Sequence, residues 1–217
     1  MPISDAKLKL TPRGAATKRR RLVAIGSSFL GLLALPHAHA GEMILCASSL
    51  IKSVDPTFGN PRGKITIVDF YDIRCPPCRA MAPRIKRLLR KDHEVRYVPI
   101  DYPLLGAPSL LATEALFAAQ EQGKYAQMRA RLLTQKRLPT EAVIKADAKA
   151  LGLDWDRMEF AMSGDVVAHR IAANMALGRR LEVKEIPTMF INGRKITGAL
   201  SYSDLVSVVA EAHSCAR

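Results

Sequence analysis

The residues of this chain best suited to chemistry are two cysteines that enclose two prolines, Cys75-Pro76-Pro77-Cys78. A CxxC pair can supply half of a structural zinc site, close a structural bridge, or open and reform a disulfide between its own sulfurs. Disulfide exchange needs one thiolate that attacks and a second sulfur near enough to resolve the mixed disulfide. The spacing alone leaves these three uses open.

The rest of the sequence gives little support to zinc. A tetrahedral site needs four ligands. Only Cys46 and Cys215 remain as further sulfurs, and no second closely spaced pair of cysteines or histidines is present. We therefore expect no metal and no other cofactor, and a structural zinc protein stays as an alternative.

The surroundings of Cys75 favour its thiolate. A helical pattern begins directly after it, so that Cys75 lies at the positive end of a helix, and Arg74 and Arg79 add positive charge. The two prolines fit the first helical turn, but they remove two N–H donors that the thiolate would otherwise have. Cys78 lies one turn further on, and we predict that it is the more buried, resolving sulfur.

The segments around the pair predict an α/β fold with a helical insertion. An apolar, β-branched run at about 65–71 is typical of a buried strand, and EVRYVPIDYP predicts a second strand that ends at Pro103. Apolar residues at helical spacing fill roughly 108–180. Asn192-Gly193 between two apolar segments is typical of a β-hairpin, and a closing helix from Tyr202 to about Ala212 follows. The hairpin can therefore join the first sheet across the helical block.

The first 40 residues predict a cleaved export signal. A basic run is followed by the apolar segment LVAIGSSFLGLLAL and by the small-x-small pattern Ala38-His39-Ala40. The apolar segment is shorter than the ~20 residues that a membrane-spanning helix needs, so we expect no permanent anchor. Adjacent arginines in KRRRLVA leave both ordinary secretion and twin-arginine export open. We expect a protein of the bacterial periplasm, where disulfides form and persist.

The net charge of +13 gives little evidence for nucleic acid as a partner. Residues 1–40 hold seven of the 33 basic residues and one of the 20 acidic residues, so the remainder of the chain carries +7. Basic stretches such as RIKRLLRK are poor in aromatic residues and are typical of solvated helix faces. We expect no nucleic acid partner, and a binding module that uses the basic surface is the non-redox alternative.

Together these segments resemble a known family. VDFYDIRCPPCRAMAP resembles the active-site segment of the thioredoxin superfamily, with an acid six residues before the first cysteine and Ala-Pro after the second. DPTFGNPRGKITIVDFYD, DYPLLGAPS, EQGKY, LGLD and IPTMFINGRKITGA resemble, in the same order, segments of periplasmic DsbA-like thiol:disulfide oxidoreductases. The resemblance implies a thioredoxin-like fold with an inserted helical domain. The implied parts are a signal peptide at 1–40, an irregular segment at 41–63, a first thioredoxin-like part at 64–105, a helical insertion at 106–180 and a second thioredoxin-like part at 181–217.

The resemblance also implies roles for residues near the pair. Asp69 takes the place of a buried carboxylate that passes a proton to or from Cys78. Ile186-Pro187 matches a cis-proline loop that faces the pair, where an extended substrate peptide would bind beside Pro76 and Pro77.

In such a fold Cys46 and Cys215, from opposite ends of the exported chain, are candidates for a structural disulfide. Two unpaired thiols or an intermolecular bond are the alternatives.

The function implied is thiol-disulfide exchange on cysteine-containing proteins outside the cytoplasm, most simply as a disulfide oxidase or interchange protein. Reductase and isomerase use the same chemistry and stay as alternatives. A membrane protein would reset the pair, similar to DsbB if this protein oxidises and to DsbD if it reduces. Because the motif has two prolines and no histidine between its cysteines, we expect a couple less oxidising than that of the strongly oxidising DsbA proteins.

Overall fold

The structure is a computed structural model that describes residues 50–215. The predicted signal peptide, Cys46 and the side chain of Cys215 lie outside the described residues, and so does the proposed disulfide between those two cysteines. The elements are β1 (Phe58–Gly59), β2 (Ile65–Tyr71), α1 (Pro76–Lys91), β3 (Val95–Asp101), α2 (Ala107–Glu121), α3 (Tyr125–Thr134), α4 (Glu141–Ala150), α5 (Trp155–Met162), α6 (Asp165–Arg180), β4 (Thr188–Ile191), β5 (Arg194–Thr197) and α7 (Tyr202–Cys215).

A five-stranded mixed sheet in the order β1-β3-β2-β4-β5 carries the pair. The parallel strands β2 and β3 align from Ile65 opposite Val95 to Tyr71 opposite Asp101. β4 pairs antiparallel with the other side of β2, across the five helices that separate β3 from β4 in sequence. The α/β fold with an inserted helical block is therefore confirmed.

Side chains that alternate along β2 divide between two apolar layers, which is why its sequence is continuously apolar. Ile65 and Ile67 pack with α1 and α7, whereas Val68 and Phe70 pack against residues of α6 on the other face. Asp69 and Tyr71 follow the period of Ile65 and Ile67 and point to the α1 side. The sheet thus places polar side chains beneath the helix that begins at the cysteine pair.

The helices α2 to α6 surround a core that reaches the cysteines. Cys75 and Cys78 belong to the same apolar cluster as Leu116, Met128 and Ile144, and α2 is buried around most of its circumference. Burial of this apolar surface stabilises the insertion and fixes it against the cysteine pair. The helical block is therefore part of the wall of the site.

The predicted hairpin turn and the segment predicted to be irregular can both be compared with the structure. The Asn192-Gly193 turn has positive φ angles of 47° and 92°, as a two-residue hairpin turn requires. The segment predicted to be irregular contains β1, where Phe58 pairs with Tyr97 at the edge of the sheet. The rings of these two residues lie 6.0 Å apart, so packing rather than propensity holds this short strand.

Among residues 50–215, no helix is long and apolar enough to cross a membrane.

Candidate active site

Cys75 lies at the N-cap of α1, directly before the first helical turn. Its N–H donates to the Asp72 carbonyl at 3.1 Å, and its own carbonyl accepts the N–H of Arg79 at 2.9 Å. Pro76 and Pro77 occupy the first two helical positions and are exposed. The thiol therefore sits at the positive end of a 16-residue helix.

Both cysteines of the pair are buried. Cys78 was predicted to be the more buried sulfur, and it is 4% exposed against 5% for Cys75, so the difference is small. The core of the helical insertion packs against both residues. Their polar surroundings therefore distinguish the two cysteines more than their burial does.

Burial raises the pKa of the Cys78 thiol well above its usual range, and a hydrogen bond with Cys75 raises it further. The negative charge of Asp69 acts in the same direction, whereas the backbone N–H of Asp72 opposes the shift. A thiol in this environment keeps its proton at neutral pH. Cys78 can attack only if a neighbouring base removes that proton.

The Ile186–Pro187 segment faces the first cysteine. The Cys75 Sγ atom lies 3.7 Å from the Ile186 carbonyl oxygen, and the Ile186–Pro187 peptide bond is cis. The Pro187 carbonyl accepts the N–H of Gly198 at 2.8 Å, so this loop is tied to the β-hairpin. Two segments more than 100 residues apart thus meet at one sulfur.

Asp69 is a buried carboxylate with one oxygen available. The residue is 3% exposed, and the Tyr97 hydroxyl donates to Oδ2 at 2.8 Å. Oδ1 is buried and has no hydrogen-bond partner among residues 50–215. Burial raises the pKa of Asp69 to about 6, against the opposing effects of the Tyr97 hydrogen bond and the Arg129 charge. A carboxylate with this pKa can both accept and return a proton near neutral pH.

Asp72 is a second carboxylate beside the pair, and the sequence analysis did not single it out. Its two oxygens accept the N–H groups of Arg74, Leu104 and Leu105 and the hydroxyl of Ser109, all at 2.8 to 3.0 Å. It fixes the loop before α1 to the loop after β3. The sequence held one signal for this role. Asp72 follows a predicted strand, and an Asp at such a position often binds the backbone N–H two residues later.

The two arginines beside the cysteines bind backbone oxygens. Arg74 Nη1 donates to the Leu105 carbonyl at 2.8 Å. Arg79 donates to the carbonyls of Leu133 and Gln135 at the end of α3, at 2.7 and 2.5 Å. The sequence predicted them only as positive charge for the thiolate. The structure shows that they also fasten the start of α1 to its neighbours.

A polar network beneath α1 was also missed. Arg129 of α3 donates from Nε to the Tyr71 hydroxyl and from Nη2 to the Tyr97 hydroxyl, both at 3.0 Å. Tyr71 and Tyr125 both donate to the buried carboxylate of Asp101. The spacing of these residues could have indicated the network. Positions 69, 71, 97 and 101 are an even number of residues apart within each strand, so their polar side chains share one face of two parallel strands.

In the part of the chain that the structure describes, no group of three or more His, Cys, Asp or Glu side chains is arranged to hold a metal ion.

Comparisons with known proteins agree with the fold. A thioredoxin family model matches residues 52–211. A thioredoxin-like oxidoreductase from Silicibacter pomeroyi DSS-3 superposes with a TM-score of 0.72 and 30% identity, over 76% of this chain and 95% of that one. The thiol-disulfide exchange protein alpha-DsbA2 from Wolbachia pipientis gives a TM-score of 0.69 and 26% identity, over 76% and 90% of the two chains.

A relative of a different description is also similar. The Na(+)/H(+) antiporter NhaA 3 from Salinispora tropica is 32% identical over 174 residues, which are 77% of this chain. The match spans only 27% of that protein's length.

Proposed function

Because this chain belongs to the thioredoxin family and is a DsbA-like thiol-disulfide oxidoreductase, we propose that Cys75 and Cys78 exchange disulfides with cysteine-containing proteins outside the cytoplasm. The observation that carries the proposal is the setting of Cys75. Its sulfur lies at the N-terminus of α1 and against the Ile186 carbonyl, while Cys78 stands one turn further along the helix. This arrangement supports an attacking sulfur with a resolving partner.

In the oxidising direction, a substrate thiolate attacks Cys75 of the Cys75–Cys78 disulfide. A bond forms between the substrate sulfur and Cys75, and the bond between Cys75 and Cys78 breaks. Cys78 leaves as a thiolate and takes a proton from Asp69. A second substrate thiolate then attacks the first substrate sulfur, so the substrate gains a disulfide and Cys75 leaves as a thiolate that α1 stabilises.

In the reducing direction, the same bonds form and break in reverse. The Cys75 thiolate attacks a substrate disulfide, and one substrate sulfur leaves. Asp69 then takes the proton of Cys78, whose sulfur attacks Cys75 and releases the second substrate thiolate. The available Oδ1 atom of Asp69 and its pKa of about 6 support this proton transfer in both directions.

The substrate surface proposed here consists of exposed Pro76 and Pro77 on one side of Cys75 and the Ile186–Pro187 loop on the other. An extended peptide would pair with backbone groups of that loop. The exposed side chains of Leu104 and Leu105 add apolar area nearby, in the loop that Asp72 fixes. Such a surface suits unfolded segments that contain cysteine.

We place this activity in the periplasm, with a membrane protein that resets the pair. A partner similar to DsbB would reoxidise it, and a partner similar to DsbD would keep a reductase reduced. Oxidase or interchange activity is the primary proposal, with reductase or isomerase as the second, and the reduction potential of the pair against glutathione distinguishes them.

The test uses single-cysteine variants and a reduced cysteine-containing test protein. We expect the oxidised wild type to transfer its disulfide, Cys75→Ser to lose transfer completely, and Cys78→Ser to accumulate a mixed disulfide after activation with a small disulfide. The matched control is Ser207→Ala on the exposed side of α7, which leaves both sulfurs and the contacts of Asp72 in place. Full transfer by the Cys75→Ser, Cys78→Ser double variant would refute the proposal and favour a binding module.

A further inference from the structure

The hydroxyl of Tyr97 has its orientation fixed from two sides. Arg129 Nη2 donates to the hydroxyl oxygen at 3.0 Å, and the hydroxyl donates its single proton to Asp69 Oδ2 at 2.8 Å. With a donor already bound to its oxygen, the hydroxyl is left to act as donor toward the carboxylate. Arg129 thus determines the direction of the one hydrogen bond that the Asp69 carboxylate accepts from the side chains of residues 50–215.

Arg129 is also the cation that acts on Asp69. The titratable and charged groups that act on this carboxylate are Tyr97 and Asp101 from β3, Cys78 from α1 and Arg129 from α3. Asp101 and a Cys78 thiolate disfavour a second negative charge, whereas Tyr97 and Arg129 favour it. Without Arg129, its attraction to the Asp69 charge would be lost, and the Tyr97 hydrogen bond to Asp69 would weaken because Arg129 also orients that hydroxyl.

The position of Arg129 is held independently of Asp69. Its Nε atom donates to Tyr71 at 3.0 Å, and its guanidinium carbon lies 4.6 Å from the centre of the Tyr71 ring. Tyr71 in turn donates to Asp101. The arginine is therefore preorganised, and its removal should change the electrostatics of Asp69 without removing the carboxylate.

We infer that Arg129, a residue of the helical insertion, is a positioning residue that acts through Tyr97 to set the pH at which Asp69 takes the proton of Cys78. This inference rests on the proposed function, because it assigns the insertion a part in resolving the mixed disulfide. It also explains why an arginine occupies the buried side of α3 next to Tyr125 and Met128.

The first experiment measures the titration of Asp69 directly, by carbon-13 NMR of labelled aspartate carboxyl groups, with Asp69→Asn to assign the signal. We expect the wild-type midpoint near 6 and a rise of about one pH unit or more in Arg129→Met. Arg129→Lys should restore part of the shift, because it returns the charge without the second hydrogen bond. Tyr97→Phe should also raise the midpoint.

The matched control is Arg131→Met on the same helix. Arg131 binds the buried Asp147 at 2.7 Å, so its loss also removes an ion pair, but one that does not contact the Asp69 network. We expect no change in the Asp69 midpoint in this variant. A shift equal to that of Arg129→Met would overturn the inference, because loss of any arginine from α3 would then change the Asp69 midpoint.

The second experiment follows release of a preformed mixed disulfide on Cys75 as a function of pH. The rate profile should move upward in pH by the same amount as the NMR midpoint in Arg129→Met, and in the Asp69→Asn background Arg129→Met should have no further effect. If wild-type protein forms no mixed disulfide, the proposed function fails, and the NMR data still report the coupling. If exchange proceeds but Arg129→Met and Arg129→Lys both leave midpoint and profile unchanged, the inference alone fails.

Discussion

Asp69 and Asp101 are two buried carboxylates on the same face of the sheet, and one arginine reaches both through tyrosines. Asp101 accepts from the hydroxyls of Tyr71 and Tyr125, which join the sheet to the helical insertion. Within the described part of the chain, the Asp69 carboxylate accepts from Tyr97 alone and keeps one buried oxygen without a partner. Burial raises the pKa of both.

The difference shows how the same residue type can serve structure or chemistry. A carboxylate whose oxygens are occupied by donors holds its neighbours in place, since any change leaves buried polar groups unpaired. A carboxylate with an available oxygen beside a thiol can exchange a proton, at a cost in stability. We therefore expect substitutions at the two positions to change the free energy of unfolding in opposite directions.

The largest expected effect is the loss of stability in Asp101→Ala. The hydroxyls of Tyr71 and Tyr125 lose their shared acceptor, and the Arg129 charge loses one of the two carboxylates that tyrosines link to it. We expect the free energy of unfolding to fall by about 3 to 5 kcal/mol, measured by urea denaturation at pH 7. A loss below about 1 kcal/mol would contradict a structural role for Asp101.

The opposite change is expected in Asp69→Asn. Because the folded-state pKa of Asp69 is raised to about 6, the folded protein binds this proton more tightly than the unfolded chain does. The contribution of Asp69 to wild-type stability is therefore most favourable at low pH and falls as the pH rises from about 4 to about 6. The asparagine avoids this penalty and should add about 3 kcal/mol at pH 7.

The pH dependence is the internal control for that prediction. The gain in stability from Asp69→Asn should be largely lost near pH 4, where the wild-type carboxyl is protonated in the folded state and about half protonated in the unfolded chain. The same variant should slow resolution of the mixed disulfide by about 100-fold or more, because Cys78 loses its base. A gain that persists unchanged at pH 4 would show that burial of the charge is not its cause.

The smallest expected effect is that of Tyr125→Phe. Asp101 keeps the Tyr71 donor, so the cost should be about 1 to 2 kcal/mol in the free energy of unfolding. The rate of disulfide exchange should not change, since Tyr125 does not contact Asp69. A variant with normal stability but slow exchange would contradict the separation of the two carboxylates.

The sequence predicted the main secondary-structure elements well. The bounds of β2, the start of α1 and the Asn192-Gly193 turn were all readable, because apolar continuity, proline placement and turn chemistry are local signals. The resemblance to the thioredoxin superfamily then supplied the order in which these parts assemble, which the structure and the family match confirm.

The environment of the site was harder to predict. Arg129 is 60 residues from Asp69 in sequence, and the contact depends on how α3 packs against the sheet. A basic residue on a helix is usually solvated, so the sequence around Arg129 does not indicate that this side chain binds buried groups. The near-equal burial of Cys75 and Cys78 likewise depends on the insertion, whose packing the sequence pattern does not give.

The strand order has a consequence for how the protein reaches its working state. Cys75 emerges with the first half of the chain, yet the Ile186 carbonyl beside it belongs to a segment 111 residues later, and β2 is complete only when β4 pairs with it. Contacts of such long range form late and slow the overall folding rate. Until β4 pairs with β2, Cys75 and Cys78 lack the neighbouring Ile186 carbonyl. The same pairing therefore completes the sheet and brings that carbonyl to Cys75.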